Sequence, residues 1–248
     1  MINWLWNIPR NLKFLFMKYR KIFKKKNTLL VVIHAEVFAP QVLSNLHTCW
    51  DNGVDGVFLI NHSVPPQEFL EEIYGFSRDF FEDKWIGLNI LGLSSKNALS
   101  SVPVNASGLW VDNAGIEDDD SKTSADLNWK FRKEKRIDWP GLYFGGVAFK
   151  YQAPVKNLAE VSKAATNYMD VVTTSGSATG SAPDLGKIET MRKAIGDFPL
   201  AVASGITPEN VGPYRDLVDC FLISTGISKS HTELDPARVV KMAEVLNR

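Results

Sequence analysis

The chain has 248 residues, of which 45% are hydrophobic, and its formal net charge is zero. This length and apolar content can support one large core, and the absence of a Gly-, Ser- or Pro-rich linker favours one folded domain. No run of 18 apolar residues is present and the N-terminus lacks the layout of a signal peptide, which argues against a membrane-spanning or secreted protein.

The first 26 residues differ in charge from the rest of the chain. They hold eight of the 28 basic residues and none of the 28 acidic ones, so the remainder carries a net charge of −8. Two electrostatic roles are therefore expected, one for each segment. A mildly acidic body argues against a broad nucleic-acid surface, and no nucleic-acid partner is expected.

Apolar residues recur three or four positions apart in this basic segment. They are Leu5, Ile8, Leu12, Leu15, Tyr19 and Ile22. The spacing predicts a basic amphipathic helix over residues 1–27, ahead of a barrel domain over residues 28–248. Two interpretations stay open for this helix: it lies in a membrane interface, or it packs on the barrel or on a partner chain.

From residue 28 onward, short apolar strands alternate with amphipathic helical stretches. The predicted strands are Leu29–His34, Gly56–Ile60, Trp85–Ile90, Gly108–Val111, Leu142–Phe149, Val171–Thr174, Leu200–Ala203 and Cys220–Ile223. The predicted helices are Pro40–Asn52, Pro66–Phe81, Ser94–Ser100, an ill-defined one between Ser124 and Lys135, Leu158–Tyr168, Leu185–Ile195, Pro208–Tyr214 and Pro236–Leu246. Strict alternation of eight strands and eight helices predicts an α/β fold, the (β/α)₈ TIM barrel, because an open doubly wound sheet has fewer strands and a Gly-rich first turn.

Three loops near the end of the chain are rich in small hydroxyl residues and glycine. They are the loops at Ser175–Ser181, Ser204–Thr207 and Ser224–Ser228. Glycine lets backbone N–H groups converge on an anion, and barrels often bind phosphate after strands 7 and 8. These loops therefore predict a phosphate site, with tight turns as the alternative explanation.

Other polar residues fall at the C-terminal ends of the predicted strands, where the active sites of such barrels lie. We predict Asp112, Lys150 and His34 as catalytic residues. Asp112 would act as a general base or accept a hydrogen bond from a ribose hydroxyl, and His34 would act as an acid/base. Lys150 would bind an anion, act as a base or form a Schiff base. The predicted substrate-binding residues are Asn61, Asn89, Ser175, Gly176, Ser177, Thr179, Ser204, Gly205, Ser224, Thr225 and Gly226.

The cysteines Cys49 and Cys220 lack the CxxC or Cys/His spacing of a zinc site, so neither a metal nor a cofactor is expected. Two reduced core thiols in a cytoplasmic protein are favoured over a disulfide. Attachment to a membrane surface or to a protein complex through residues 1–26 stays an alternative, and so does a homo-oligomer.

The C-terminal third resembles the BtpA family. The resemblance lies in the run Asp170–Gly180 with the following Pro183-Asp184-Leu185, in Ala203–Val211 and in Asp235–Val239. It implies a barrel related to phosphate-binding barrels. The named member is a peripheral thylakoid protein needed for photosystem I accumulation, whereas many others resemble enzymes of sugar or nucleotide metabolism.

The chain departs from the family pattern at several places. Tyr151 follows Lys150 where the family usually has histidine, residues 35–40 replace a segment rich in Pro and Gly, and residues 114–138 differ. Trp110 and Asn113 alter the end of the fourth strand. The phosphate end thus looks retained while the rest of the substrate site looks altered.

Two functions follow from these residues. The first is an enzyme acting on a phosphorylated ribose or a nucleotide by hydrolysis, isomerisation or glycosyl transfer. The second is a non-catalytic factor that assembles on a membrane or a protein complex through its N-terminal segment, as the family name implies.

Overall fold

Eight parallel strands close into a barrel in which neighbours along the chain are neighbours in the sheet, and β1 also pairs with β8. The computed structural model describes residues 18–36, 39–116 and 139–247. The strands are β1 (Thr28–His34), β2 (Gly56–Ile60), β3 (Ile86–Asn89), β4 (Gly108–Val111), β5 (Leu142–Gly146), β6 (Val171–Ser175), β7 (Leu200–Ala203) and β8 (Cys220–Ile223). The predicted fold class is confirmed.

The strands are short apolar runs because both of their faces are covered. Alternate side chains of a strand enter different clusters, as period-2 geometry requires: Val31 and Ile33 pack outward with helix residues, while Leu30 and Val32 belong to a second cluster inside the barrel. Large aromatic rings fill that interior, so the barrel is a packed core and not a pore.

Six helices surround the strands in the described part of the chain. They are α1 (Ala39–Asp51), α2 (Pro66–Glu68, π-helical Phe69–Tyr74 and Gly75–Phe80 in succession), α3 (Ser95–Ser101), α4 (Leu158–Ala165), α5 (Leu185–Ile195) and α6 (Pro236–Leu246). Asp184 and Asp235 cap α5 and α6 by accepting backbone N–H groups of the first turn.

Three predicted elements differ from the structure. The helix predicted at Pro208–Tyr214 is wrong: one turn after Thr207 leads into a 3₁₀ turn, Gly212–Tyr214, because Pro213 has no N–H and disfavours a helical residue before it. The strand predicted to reach Phe149 ends at Gly146, and Ala148 has a φ of +46°, which ends the extended backbone. The helix predicted between Ser124 and Lys135 lies outside the described residues.

Residues 18–26 of the basic segment pack at the N-terminal end of the barrel. Residues 18–22 are helical, and the fully buried Tyr19 donates a hydrogen bond from its hydroxyl to Thr28 Oγ1 at 2.9 Å. Phe23 packs on Trp85 at 5.3 Å between ring centroids. Residues 18–26 therefore pack on the barrel, which was one of the two interpretations of the predicted helix.

The basic residues of the same stretch form ion pairs with the barrel. These pairs are Arg20–Asp219, Lys25–Asp55 and Lys26–Asp216. Residues 1–17, which carry most of the predicted amphipathic stripe, lie outside the described residues. Among the helices that the structure does describe, none has the length and apolarity needed to cross a membrane.

Candidate active site

A pocket of about 110 Å³ opens at the C-terminal end of the strands. Its floor is apolar and includes Val32, Ile60 and Trp110, while its walls carry the polar groups. Three histidines and Lys150 form one wall, and the first residues of the loops after β7 and β8, with Thr179 and Gly180 of the loop after β6, form the other. A pocket below the roughly 300–1,000 Å³ of drug-sized ligand sites suits a compact polar group.

Three histidines from separate parts of the chain meet in the first wall, which together with Glu36 we call the histidine wall. His34 ends β1, His62 follows β2 and His231 lies in the loop between β8 and α6. The rings of His34 and His62 stack at 4.8 Å between centroids, and that of His231 lies 4.1 Å from His34. Glu36 completes the group, with its Oε1 at 2.5 Å from His231 Nε2.

Burial shifts the ionisation of this wall. Burial, together with the nearby His231 and His62, lowers the pKa of His34 to about 4. Burial also lowers the pKa of His62, against the opposing charge of Glu36. Both rings are therefore neutral at pH 7 and keep a lone pair that can accept a proton or bind a cation.

Asp112 and Lys150 lie beside the histidines. Asp112 follows β4 and accepts a hydrogen bond from Asn89 Nδ2 at 3.0 Å. Burial raises the pKa of Asp112, and the Asn89 hydrogen bond and the charge of Lys150 oppose the rise. Lys150 donates from Nζ to Thr179 Oγ1 at 3.0 Å, which joins the cation to the loop after β6. The predicted acid and cation therefore share one electrostatic environment.

Glycines let the three hydroxyl-rich loops pack directly on one another. A Cβ at Gly205 would lie 2.0 Å from Ala182 N, and one at Gly226 would lie 2.0 Å from Ile206 O. Ser204 and Gly205 both have positive φ, +71° and +63°. These turns are therefore fixed by close backbone contact as well as by any ligand.

The same loops keep backbone donors at the pocket. The N–H groups of Ser204, Gly205, Thr225 and Gly226 donate no hydrogen bond to another described residue. All four residues line the pocket. Because polar backbone groups are seldom left unpaired, these donors are available to a bound anion or to water.

Comparison with known proteins identifies the family. The model of the BtpA family matches residues 88–248, which is more than half of the chain. The chain belongs to the BtpA family. No match was found among curated proteins.

Solved structures resemble this BtpA family chain in fold, all at low sequence identity. The native KDPGal structure has a TM-score of 0.64 at 14% identity, over 88% of this chain and 94% of the other. (S)-3-O-geranylgeranylglyceryl phosphate synthase from Thermoplasma acidophilum has 0.62 at 13%, over 94% and 97%. Phosphoribosyl anthranilate isomerase from Thermus Thermophilus has 0.59 at 10%, over 89% and 98%.

Most of the predicted site residues of this BtpA family member meet at the pocket. These are His34, Lys150, Thr179, Ser204, Gly205, Ser224, Thr225 and Gly226. Asp112 reaches the same region, because its charge acts on His62 and it accepts the Asn89 amide.

The remaining predicted residues make other contacts. Asn61 accepts from Leu91 N at 2.8 Å and donates to Val64 O at 2.8 Å, which ties two loops together. The Ser175 hydroxyl accepts from Lys150 N at 2.8 Å. Gly176 packs where a Cβ would meet Ser181 O at 1.9 Å, and Ser177 is exposed. A direct contact of these residues with substrate stays a prediction.

Sequence reasoning placed Glu36 and His62 among the polar residues at strand ends but gave them no role in the site, and it missed His231. Glu36 and His62 were visible as polar residues just after strands, but nothing in their spacing indicated a common site. His231 follows β8 at a distance that no strand-end rule covers. Lys187 of α5 was also not predicted; it holds the backbone next to the pocket, donating to Ala148 O at 2.6 Å and to Ser175 O at 2.8 Å, and burial lowers its pKa to about 8.

Proposed function

We propose that this protein is an enzyme that binds a phosphorylated ribose or a nucleotide at the C-terminal end of its barrel. The loops after β7 and β8 hold the phosphate, and Asp112 with Lys150 acts on the sugar. The reaction belongs to the classes that proton transfer at a sugar carbon or oxygen supports, namely isomerisation, hydrolysis or glycosyl transfer.

The observation that carries the phosphate assignment is the set of unpaired amides in these loops. Ser204, Gly205, Thr225 and Gly226 present N–H groups without partners among the described residues, in the two loops that most often hold phosphate in barrels. Lys150 Nζ lies at the same pocket and adds a positive charge. Amides and a cation together are the usual complement of a dianion.

The acid–base assignment depends on Asp112. Burial raises its pKa, so its ionisation comes closer to neutral pH than that of an exposed aspartate. Asn89 fixes the carboxylate by a hydrogen bond, and Lys150 supplies the charge that stabilises its ionised form. A carboxyl group held in this way can take a proton from a bound sugar and return it.

Proteins of similar fold support the ligand class. The Thermoplasma acidophilum synthase was solved with its substrate sn-glycerol-1-phosphate, and another neighbour is a phosphoribosyl anthranilate isomerase. Both names refer to phosphorylated compounds with hydroxylated carbon chains or rings. The identities of 13% and 10% restrict this support to the class of ligand.

The binding test compares ribose 5-phosphate with ribose in thermal-shift and calorimetric titrations. We expect ribose 5-phosphate to raise the unfolding midpoint of the wild type and ribose to leave it unchanged. Thr225→Glu places a negative charge on the exposed rim of the pocket and should abolish the shift. Thr190→Glu is the matched control, because Thr190 is an exposed residue of α5 and its hydroxyl bonds only to a carbonyl, Gly186 O, among the described residues.

Equal shifts with ribose and ribose 5-phosphate would contradict the phosphate assignment, as would undiminished binding by Thr225→Glu. A screen of phosphorylated ribosides and nucleotides then tests catalysis. Asp112→Asn and Lys150→Met should each lower turnover of the substrate by about 100-fold or more. Full turnover by both variants would refute the acid–base roles.

A further inference from the structure

Three of the four histidines of the chain converge at the mouth of the barrel with one carboxylate. His34 ends β1, His62 and His231 lie in the loops after β2 and β8, and Glu36 follows β1. One nitrogen or oxygen ligand atom from each of these four residues lies within 4.8 Å of the other three. Histidine is rare in this chain, so the meeting of three histidines from distant positions is poorly explained by chance.

We propose that these four residues bind a divalent transition-metal ion, with Zn²⁺ as the ion that fits the ligand set best. Imidazole and carboxylate groups are ordinary zinc ligands, and a set dominated by imidazole disfavours Mg²⁺ and Ca²⁺. The site goes beyond the proposed sugar-phosphate activity and does not depend on it.

The distances allow such a site with small side-chain movements. Four ligands around an ion at roughly 2.0 Å lie about 3.3 Å from one another in a tetrahedron. The present group spans up to 4.8 Å, while His231 Nε2 and Glu36 Oε1 are 2.5 Å apart. Closing the wider pairs and opening this short one requires rotation about side-chain bonds and leaves the strands in place.

Part of the group is fixed by residues outside it. Asn45, a buried residue of α1, donates to Thr232 O at 2.7 Å and accepts from Leu234 N at 3.1 Å. Its side chain therefore holds the segment that carries His231 against the barrel. Support of a ligand from a neighbouring element is common around protein metal ions.

An unpaired polar atom also points to a ligand at this place. His34 Nδ1 is buried and has no hydrogen-bond partner among the described residues. A buried nitrogen without a hydrogen-bond partner is energetically unfavourable. A metal ion, or a water molecule bound to it, would give this imidazole a partner.

The location indicates what the ion would do. The three histidines line the same pocket as Ser204, Gly205 and Lys150. An ion there would face any anion held by the loops after β7 and β8, and it could polarise an oxygen atom of that anion or of a neighbouring group.

The test uses tag-free full-length protein freed of metal with a chelator and titrated with Zn²⁺ by calorimetry, without substrate. Co²⁺ serves as a second probe, because its visible absorption reports nitrogen and oxygen ligation. We expect one ion per chain and binding about 100-fold weaker, or more, in His231→Ala and Glu36→Gln. His47→Ala is the matched control: this fourth histidine lies on α1, its ring contacts Phe81, and its loss should leave affinity unchanged.

Glu36→Gln keeps the size of the side chain, so it tests the site even if His231→Ala disturbs the loop. Circular dichroism and the unfolding midpoint show whether each variant is folded. The proposal is overturned if the wild type binds no ion, if both variants bind as tightly as the wild type, or if His47→Ala weakens binding as much as they do. Because no substrate is present, these outcomes are independent of the ribose 5-phosphate titration.

Discussion

The two ends of the barrel differ in the partners of their charged side chains. At the N-terminal end, the buried Asp219 pairs with Arg20 and with Arg192 and also accepts Leu200 N at 2.8 Å. The buried guanidinium of Arg78 donates to several carbonyls, among them Lys84 O at 2.8 Å. At the C-terminal end, His34 keeps an unpaired buried nitrogen and burial perturbs the pKa of both His34 and Asp112.

This difference separates stability from function. Breaking the ion pairs of Asp219 at the N-terminal end should lower the free energy of unfolding. We propose that the unpaired nitrogen of His34 and the shifted carboxyl of Asp112 at the other end serve binding or catalysis instead. Cavity size alone would favour the N-terminal end, where a groove of about 730 Å³ is lined by Phe23, Trp85 and Arg78 among other residues. We assign function by chemistry, since the guanidinium that lines this groove is already hydrogen-bonded within the protein.

The largest effect is expected when the ion pairs of Asp219 at the N-terminal end are removed. Asp219→Ala leaves Arg192, whose side chain is 20% exposed, without its carboxylate and Leu200 N without an acceptor. Removing one partner of a largely buried pair costs roughly 3–5 kcal/mol. Denaturant unfolding should show this loss, while Zn²⁺ affinity stays unchanged because the mouth is not touched.

Asp216→Ala is the control for this prediction. Asp216 also pairs with the basic segment, through Lys26, but its side chain is 86% exposed. Solvent screens a pair of this kind, so no measurable change in unfolding is expected. Equal losses in Asp219→Ala and Asp216→Ala would show that depth of burial does not govern these pairs.

A smaller effect is expected from the glycines at the mouth. Gly205→Ala combines a positive φ with a Cβ placed 2.0 Å from Ala182 N, so we expect a loss of about 2–4 kcal/mol. Gly180→Ala, with a φ of +79° and open space around its Cβ, should lose only about 1–2 kcal/mol. Similar losses measured by thermal unfolding would mean that backbone conformation alone, and not loop packing, requires Gly205.

The fold could be predicted from the sequence because its signals are local. Val- and Ile-rich runs, regular alternation and caps such as Asp235-Pro236 each depend on neighbouring residues. The predicted helix at Pro208–Tyr214 failed although Thr207 does accept Glu209 N, because the stop signal Gly212-Pro213 was not weighed against the start signal. The ion pairs of residues 18–26 were not predictable, since their partners lie far along the chain.

The site was predicted only where it follows the strand-end rule. Lys150, Ser204 and Thr225 line the pocket because they lie in loops that follow strands, and these loops surround the C-terminal end of the barrel. His231 and Glu36 are 195 residues apart in the chain, and no spacing pattern could join them. The expectation that no metal site exists depended on local Cys/His spacing, and such spacing cannot detect side chains that barrel closure brings together; whether these four residues bind a metal stays a proposal.

The prediction with the smallest expected loss of stability tests whether Asn45 of α1 supports the histidine wall. Asn45→Ala removes the acceptor of Leu234 N and the donor to Thr232 O, so the free energy of unfolding should fall by roughly 1–3 kcal/mol. The segment with His231 then loses its contact with α1. We expect Zn²⁺ affinity, measured by calorimetry in the folded variant, to fall about 10–100-fold, as for other supporting residues of metal sites.

Thr48→Ala is the matched control on the same helix. The Thr48 hydroxyl donates to Ser44 O within α1 and does not contact the segment of His231. Its loss should change neither Zn²⁺ affinity nor Co²⁺ absorption. If Asn45→Ala lowers stability but binds Zn²⁺ like the wild type, then this asparagine stabilises the barrel alone, and the division between a stabilising end and a binding end does not extend to α1. Weaker binding in Asn45→Ala with normal binding in Thr48→Ala shows instead that a buried hydrogen-bond pair at the mouth supports metal binding as well as folding.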